Sequence, residues 1–169
     1  MANTDLTGRT AAFIGLGVMG FPMAGHLARC GADVAVYNRT SLKAEQWLDD
    51  YQGVSDGVLR TADTPAAAAV DADIVFMCVG NDDDVRAVAL GEDGVLAGMG
   101  PDTVLVDHTT ASQELALELD TACAAQGIGF LDAPVSGGQA GAENGALTVM
   151  VGGRAGDFST ANDFFQAYA

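Results

Sequence analysis

The segment Gly15-Leu16-Gly17-Val18-Met19-Gly20 stands between an apolar run, Thr10–Leu16, and a stretch with helical signals, Phe21–Arg29. Glycines at that spacing between a strand and a helix leave few folds open. The first permits a tight turn, the second lets the backbone approach a pyrophosphate, and the third allows the helix to pack closely on the strand. The N–H groups opening the helix lack internal partners, so they and the helix dipole face an anion. Pro22 suits a first helical turn, where its missing N–H costs nothing, and Gly31 stands just past Arg29 as a stop. The motif therefore predicts strand, phosphate-binding turn and helix, in that order.

The same alternation continues along the chain. The runs Asp33–Asn38, Asp73–Val79, Thr103–Asp107, Gly129–Ala133 and Leu147–Val151 are short and near-continuously apolar, as strands covered on both faces must be. Between them, Ser41–Tyr51 reads as a helix, and Thr64-Pro65 opens a short alanine-rich one over Ala66–Ala69. Asp82, Asp83 and Asp84 precede Val85, Val88 and Ala89, which places three carboxylates at a positive helix end. Thr110 and Gln113 have capping-box spacing ahead of Leu115, Leu119 and Ala122, a stripe that Gly127 ends, and a last helix runs from about Asp157 to Tyr168. The expected architecture is α/β: a Rossmann-type, doubly wound, mostly parallel sheet forming one dinucleotide-binding domain over residues 1–169.

Composition narrows the partners. With 169 residues, 49% of them hydrophobic, the chain can bury a core of its own, and disorder is excluded. No apolar run reaches the ~18 to 20 residues of a membrane span, and MANTDLTGRT lacks a secretory pattern, so the expected compartment is the cytoplasm. Seven Lys and Arg against 23 Asp and Glu leave a net charge of −16, which repels nucleic acid. The acidity reads either as an ordinary solvated surface or as adaptation to high salt. Cys30, Cys78 and Cys123 form no C-x-x-C pair and read as buried free thiols, and no metal site is expected.

At the end of the second strand, Asn38-Arg39-Thr40 occupies the position that chooses between nicotinamide cofactors. An acidic residue there would bind an adenosine ribose and repel a 2′-phosphate. A neutral Asn followed by Arg and a hydroxyl does the opposite, so NADP(H) is expected in preference to NAD(H), which stays possible.

Val79-Gly80-Asn81 and Asp107-His108-Thr109-Thr110 each follow a strand, at the carboxyl edge where an open α/β sheet binds ligands. At least one of Thr109 and Thr110 is expected to cap a helix as well. His108 has no paired carboxylate and reads as structural or solvent-facing, and His26 as a surface residue. Asp132-Ala133-Pro134-Val135-Ser136-Gly137-Gly138 and the glycine-rich residues 139–145 read as a loop whose N–H groups, with the Ser136 hydroxyl, can hold a small carboxylate.

These motifs, together with Leu147-Thr148-Val149-Met150-Val151-Gly152-Gly153, resemble the β-hydroxyacid dehydrogenase family, which includes 3-hydroxyisobutyrate dehydrogenase, tartronate semialdehyde reductase and glyoxylate reductases. The resemblance covers the whole chain. It implies that Gly15, Leu16, Gly17, Val18, Met19, Gly20, Asn38, Arg39, Thr40, Val79, Gly80, Asn81 and Thr110 bind the cofactor. It also implies that Ser136, Gly137, Gly138 and Thr110 bind a small hydroxyacid or semialdehyde. 6-Phosphogluconate dehydrogenase shares Asn-Arg-Thr and Val-Ser-Gly-Gly, while Asp132-Ala133-Pro134 resembles the small-hydroxyacid branch; imine reductases share the cofactor half. The family's catalytic lysine and its neighbouring asparagine stand on a long helix of a second, all-helical domain that also builds the homo-oligomer. Neither is found here, and Lys43, the single lysine, is wrongly placed for that role. The expectation is the cofactor half of a longer enzyme, without a catalytic residue of its own; the alternative is a non-catalytic NADPH-binding module. Loss of the helical domain would expose apolar surface near Leu147 to Tyr168.

Overall fold

In a computed structural model that describes residues 4–169, β1 (Thr10–Ile14) lies mid-sheet, and Ala11, Ala12, Phe13 and Ile14 are all fully buried. Strand side chains alternate in direction, so this central strand serves two cores. Ala11 and Phe13 join one cluster, under α1 (Gly20–Arg29), α2 (Ser41–Tyr51) and α8 (Ala155–Phe165). Ala12 and Ile14 join the other, under α3 (Pro65–Ala69), α4 (Asp82–Leu90), α5 (Val95–Gly98) and α6 (Gln113–Ala124).

The main sheet runs in the order β3-β2-β1-β4-β5-β6-β9, with β2 Asp33–Tyr37, β3 Leu59–Thr61, β4 Ile74–Met77, β5 Val104–Asp107, β6 Gly129–Asp132 and β9 Gly152–Gly153. Every pairing is parallel except that of β6 with β9. The chain leaves β1 toward one edge and returns through β4 toward the other. That reversal opens a crevice beyond the carboxyl ends of β1 and β4, where a doubly wound sheet takes its ligand.

Three expectations are corrected. Leu147–Val151 is not a strand of the main sheet: β8 (Thr148–Val149) pairs antiparallel with β7 (Val135–Ser136) in a separate two-stranded ribbon. The Met150 N–H donates to the Pro134 carbonyl at 2.9 Å, extending that ribbon by one step. Residues 138–144 form a helix, α7 (Gly138–Asn144), rather than a loop, with Gln139 donating to Glu143 at 2.7 Å one turn on. The cap of α6 is Ser112, whose hydroxyl accepts from the Leu115 N–H at 3.2 Å; neither Thr109 nor Thr110 caps it. β3, three residues with exposed Arg60 and Thr61, has no apolar run to announce it. Near the C-terminus Met150 and Phe158 are exposed, whereas Leu147, Phe164, Phe165 and Tyr168 are buried.

Among the described residues no helix is long and apolar enough to cross a membrane, and no group of three or more His, Cys, Asp or Glu could hold a metal ion. Cys30, Cys78 and Cys123 are free, but only Cys123 is fully buried.

Candidate functional site

The glycine turn is shaped by contacts a side chain would destroy. Gly15 has φ +96°, and a Cβ on it would meet the Cys78 carbonyl oxygen at 2.2 Å; one on Gly20 would meet the Gly15 carbonyl oxygen at 2.0 Å. Gly17 is different, since a Cβ there would meet nothing within 4 Å and would stand in the open crevice. Among the described residues, the N–H groups of Gly17, Val18 and Met19 have no backbone acceptor. Consecutive free amides at the N-terminus of a ten-residue helix, with open space in front of them, fit a pyrophosphate.

That space is a cleft of about 810 Å³. One wall is the turn itself, with Gly15, Gly17, Val18, Met19 and Gly20; a second is the β2–α2 turn, with Asn38, Arg39 and Thr40; a third is the end of β4, with Cys78, Val79 and Gly80. Ten of the residues expected from sequence thus meet around one hollow. Leu16 is buried behind it and donates its N–H to Asn38 Oδ1. Asn81 caps α4, accepting from the Asp84 N–H at 2.9 Å, and neither it nor Thr110 lines the cleft. Ser136, Gly137 and Gly138 are exposed on β7 and the start of α7, also outside it.

The far wall was not foreseen. Asp63, Thr64 and Pro65 at the start of α3, with Asp84, Ala87, Val88, Gly91, Glu92 and Asp93 on and after α4, complete the enclosure. Arg39 is the one cation among the described lining residues, facing four carboxylates. Thr64-Pro65 and Asp84 carry helix-start signals in the sequence, but nothing along the chain sets them on one cleft. The pairing that sets β4 beside β1, and so carries α4 across the cleft, is a tertiary fact.

Behind the cleft, Asp107, His108 and Thr109 are the buried polar side chains among the described residues. Thr109 Oγ1 accepts from the Val79 N–H at 3.0 Å, which fixes the third wall. Burial lifts Asp107 to about 6, against the hydrogen bond from the Thr109 N–H that favours its charge. His108 contacts the Ala133 carbonyl through Nδ1 at 2.6 Å and the Tyr168 hydroxyl through Nε2 at 2.7 Å. The carbonyl can only accept, so Nδ1 carries the proton and Tyr168 donates to Nε2. Burial holds His108 down at about 4 and so keeps it neutral. His108 is therefore structural, and His26 is no free surface residue: its Nε2 lies 2.9 Å from the Ala142 carbonyl and ties α1 to α7.

A family model described as the NAD binding domain of 6-phosphogluconate dehydrogenase matches residues 10–169. An uncharacterized oxidoreductase of Shewanella frigidimarina is 59% identical over 158 residues, covering 94% of this chain and 52% of the relative. The structure of Mycobacterium tuberculosis 3-hydroxyisobutyrate dehydrogenase with L-serine superposes with a TM-score of 0.84 at 31% identity, over 95% of this chain and 52% of that one. Psf3 in complex with NADP+ and 2-OPP superposes with a TM-score of 0.85 at 30% identity, over 94% and 54%. The chain spans about half the length of these relatives.

Proposed function

Because the chain belongs to the family of the NAD-binding domain of 6-phosphogluconate dehydrogenase, we propose that it is the cofactor-binding half of an NADP(H)-dependent 3-hydroxyacid oxidoreductase. The observation that carries the cofactor choice is Arg39, the one cation among the described residues lining a cleft that also holds four carboxylates, set on a turn with a neutral Asn38 where a carboxylate would favour a ribose. An NADP+ complex of a protein with the same fold supports it.

When bound, the nicotinamide supplies the hydride chemistry. The chain's own residues bind and orient: the free amides of Gly17, Val18 and Met19 take the pyrophosphate, Arg39 and Thr40 the 2′-phosphate, and Val79 and Gly80 the cofactor's far end. Ser136, Gly137 and Gly138, with Thr110, hold the carboxylate of a small hydroxyacid or semialdehyde. In this reading proton transfer falls to a lysine of a separate helical domain, through which the full enzyme also forms its homo-oligomer in the cytoplasm. Asp132-Ala133-Pro134 ahead of Val135-Ser136-Gly137-Gly138, which resembles the small-hydroxyacid branch, supports that branch over 6-phosphogluconate.

Calorimetric titration of the chain with NADPH and NADH tests the reading. Arg39→Ala should weaken NADPH by about tenfold or more, the worth of a charge-assisted bond, and NADH by far less. Equal losses would overturn it.

A further inference from the structure

Arg39 and Asp84 reach toward one another from opposite walls of the cleft, one on the β2–α2 turn and the other in the first turn of α4. Arg39 Nη1 lies 3.8 Å from Asp84 Oδ1. A Cβ on Gly80 would meet Asp84 Oδ2 at 2.6 Å, so the carboxylate lies folded over the β4–α4 turn, within the cleft lining. The two preceding aspartates behave otherwise. Asp82 accepts from the Ser112 N–H at 3.0 Å, and Asp83 pairs with Arg86 at 3.7 Å within the helix. Compensation of a helix dipole would treat all three alike and does not account for where Asp84 sits. Among the described residues, no other carboxylate pairs with Arg39.

We propose that Asp84 is a built-in counterion of Arg39 that limits how strongly the site prefers a 2′-phosphorylated adenosine over a bare ribose. The inference rests on Arg39 as the phosphate's partner. A phosphate dianion must draw the guanidinium away from Asp84, whereas an uncharged 2′-hydroxyl has no such rival to displace. The Arg39 side chain is 89% exposed and that of Asp84 35%, so the competition is screened by water, modest in size and sensitive to salt.

The test is calorimetric binding of NADP+ and NAD+ to the wild-type chain, Asp84→Asn, Arg39→Ala and the double variant, with circular dichroism confirming the fold. Asp84→Ser serves as a second variant. At low ionic strength Asp84→Asn should raise the NADP+/NAD+ affinity ratio about fivefold. In about 1 M KCl, where the screening length is ~3 Å, the gain should shrink below about twofold. It should also shrink in the Arg39→Ala background. An unchanged or lowered ratio in both Asp84 variants, or a full gain without Arg39, overturns the counterion role. If Arg39→Ala lowers the ratio while the Asp84 variants do nothing, only this inference fails. If Arg39→Ala leaves the ratio alone, the cofactor assignment fails with it.

Discussion

Asn38 joins the two walls that would grip the adenosine end of a dinucleotide: its Oδ1 accepts the Leu16 N–H at 2.9 Å, and its Nδ2 donates to the Thr40 carbonyl at 3.1 Å. One side chain thus locks the glycine turn to the β2–α2 turn and shapes the peptide that presents Arg39. Both ends of the amide are in use, so its neutrality and its donor group each have a structural purpose.

Asn38→Asp should separate those purposes. The carboxylate can still accept from Leu16, but it has no donor for Thr40 and brings a negative charge to the 2′-phosphate position. The expected outcome is a fall of about tenfold or more in the NADPH/NADH affinity ratio by calorimetry, with a stability cost of about 1 kcal/mol in urea unfolding. An unchanged ratio would count against the cofactor assignment.

The turn glycines should divide into structural and ligand-facing positions. Gly20→Ala sets a methyl group 2.0 Å from the Gly15 carbonyl oxygen and should cost about 3 kcal/mol or more in a thermal or urea melt. Gly17→Ala points a methyl group into open space and should leave stability within about 1 kcal/mol. It should nevertheless weaken either dinucleotide about tenfold or more, because the methyl group stands where the pyrophosphate approaches. Unaltered affinity in Gly17→Ala would remove the turn from the binding site.

Asp107 and His108 should oppose each other in the pH dependence of stability. Asp107 is raised from 3.8 to about 6, so the stability it contributes in acid is lost as pH rises through that window. His108 is lowered from 6.5 to about 4, so its contribution is present at neutral pH and lost as pH falls through that window. The two act in opposite directions in the wild type. Asp107→Asn keeps an acceptor for the Thr109 N–H and removes the first effect. It should unfold with wild-type stability near pH ~4 and be more stable by about 2 kcal/mol near pH ~7. A variant less stable than wild type at neutral pH would show that the Asp107 charge is stabilising.

Much of the fold could be read along the chain because its signals are local. Ser41–Tyr51 was expected at the bounds the helix takes, and Thr64 caps α3 with its side chain accepting from the Ala67 N–H at 3.0 Å, as the Thr-Pro pair implies. Where the signal was short or glycine-rich it misled: β3 has no apolar run, and α7 hides its helical periodicity behind Gly138 and Gly141. Leu147–Val151 is apolar enough for a strand, but which strand it joins depends on where Pro134 turns the chain.

The strand–turn–helix unit from Thr10 to Arg29, the helix Ser41–Tyr51 and the cation beside the glycine turn were determined by the sequence alone, since each depends on neighbours within a few residues. The cleft's acidic far wall, the reach of Asp84 to Arg39 and the seat of His108 between Ala133 and Tyr168 were decided by tertiary structure. Each joins residues that meet only when β4 and β5 pair beside β1 and the last helix closes over them, and side-chain type and spacing hold no record of such distances.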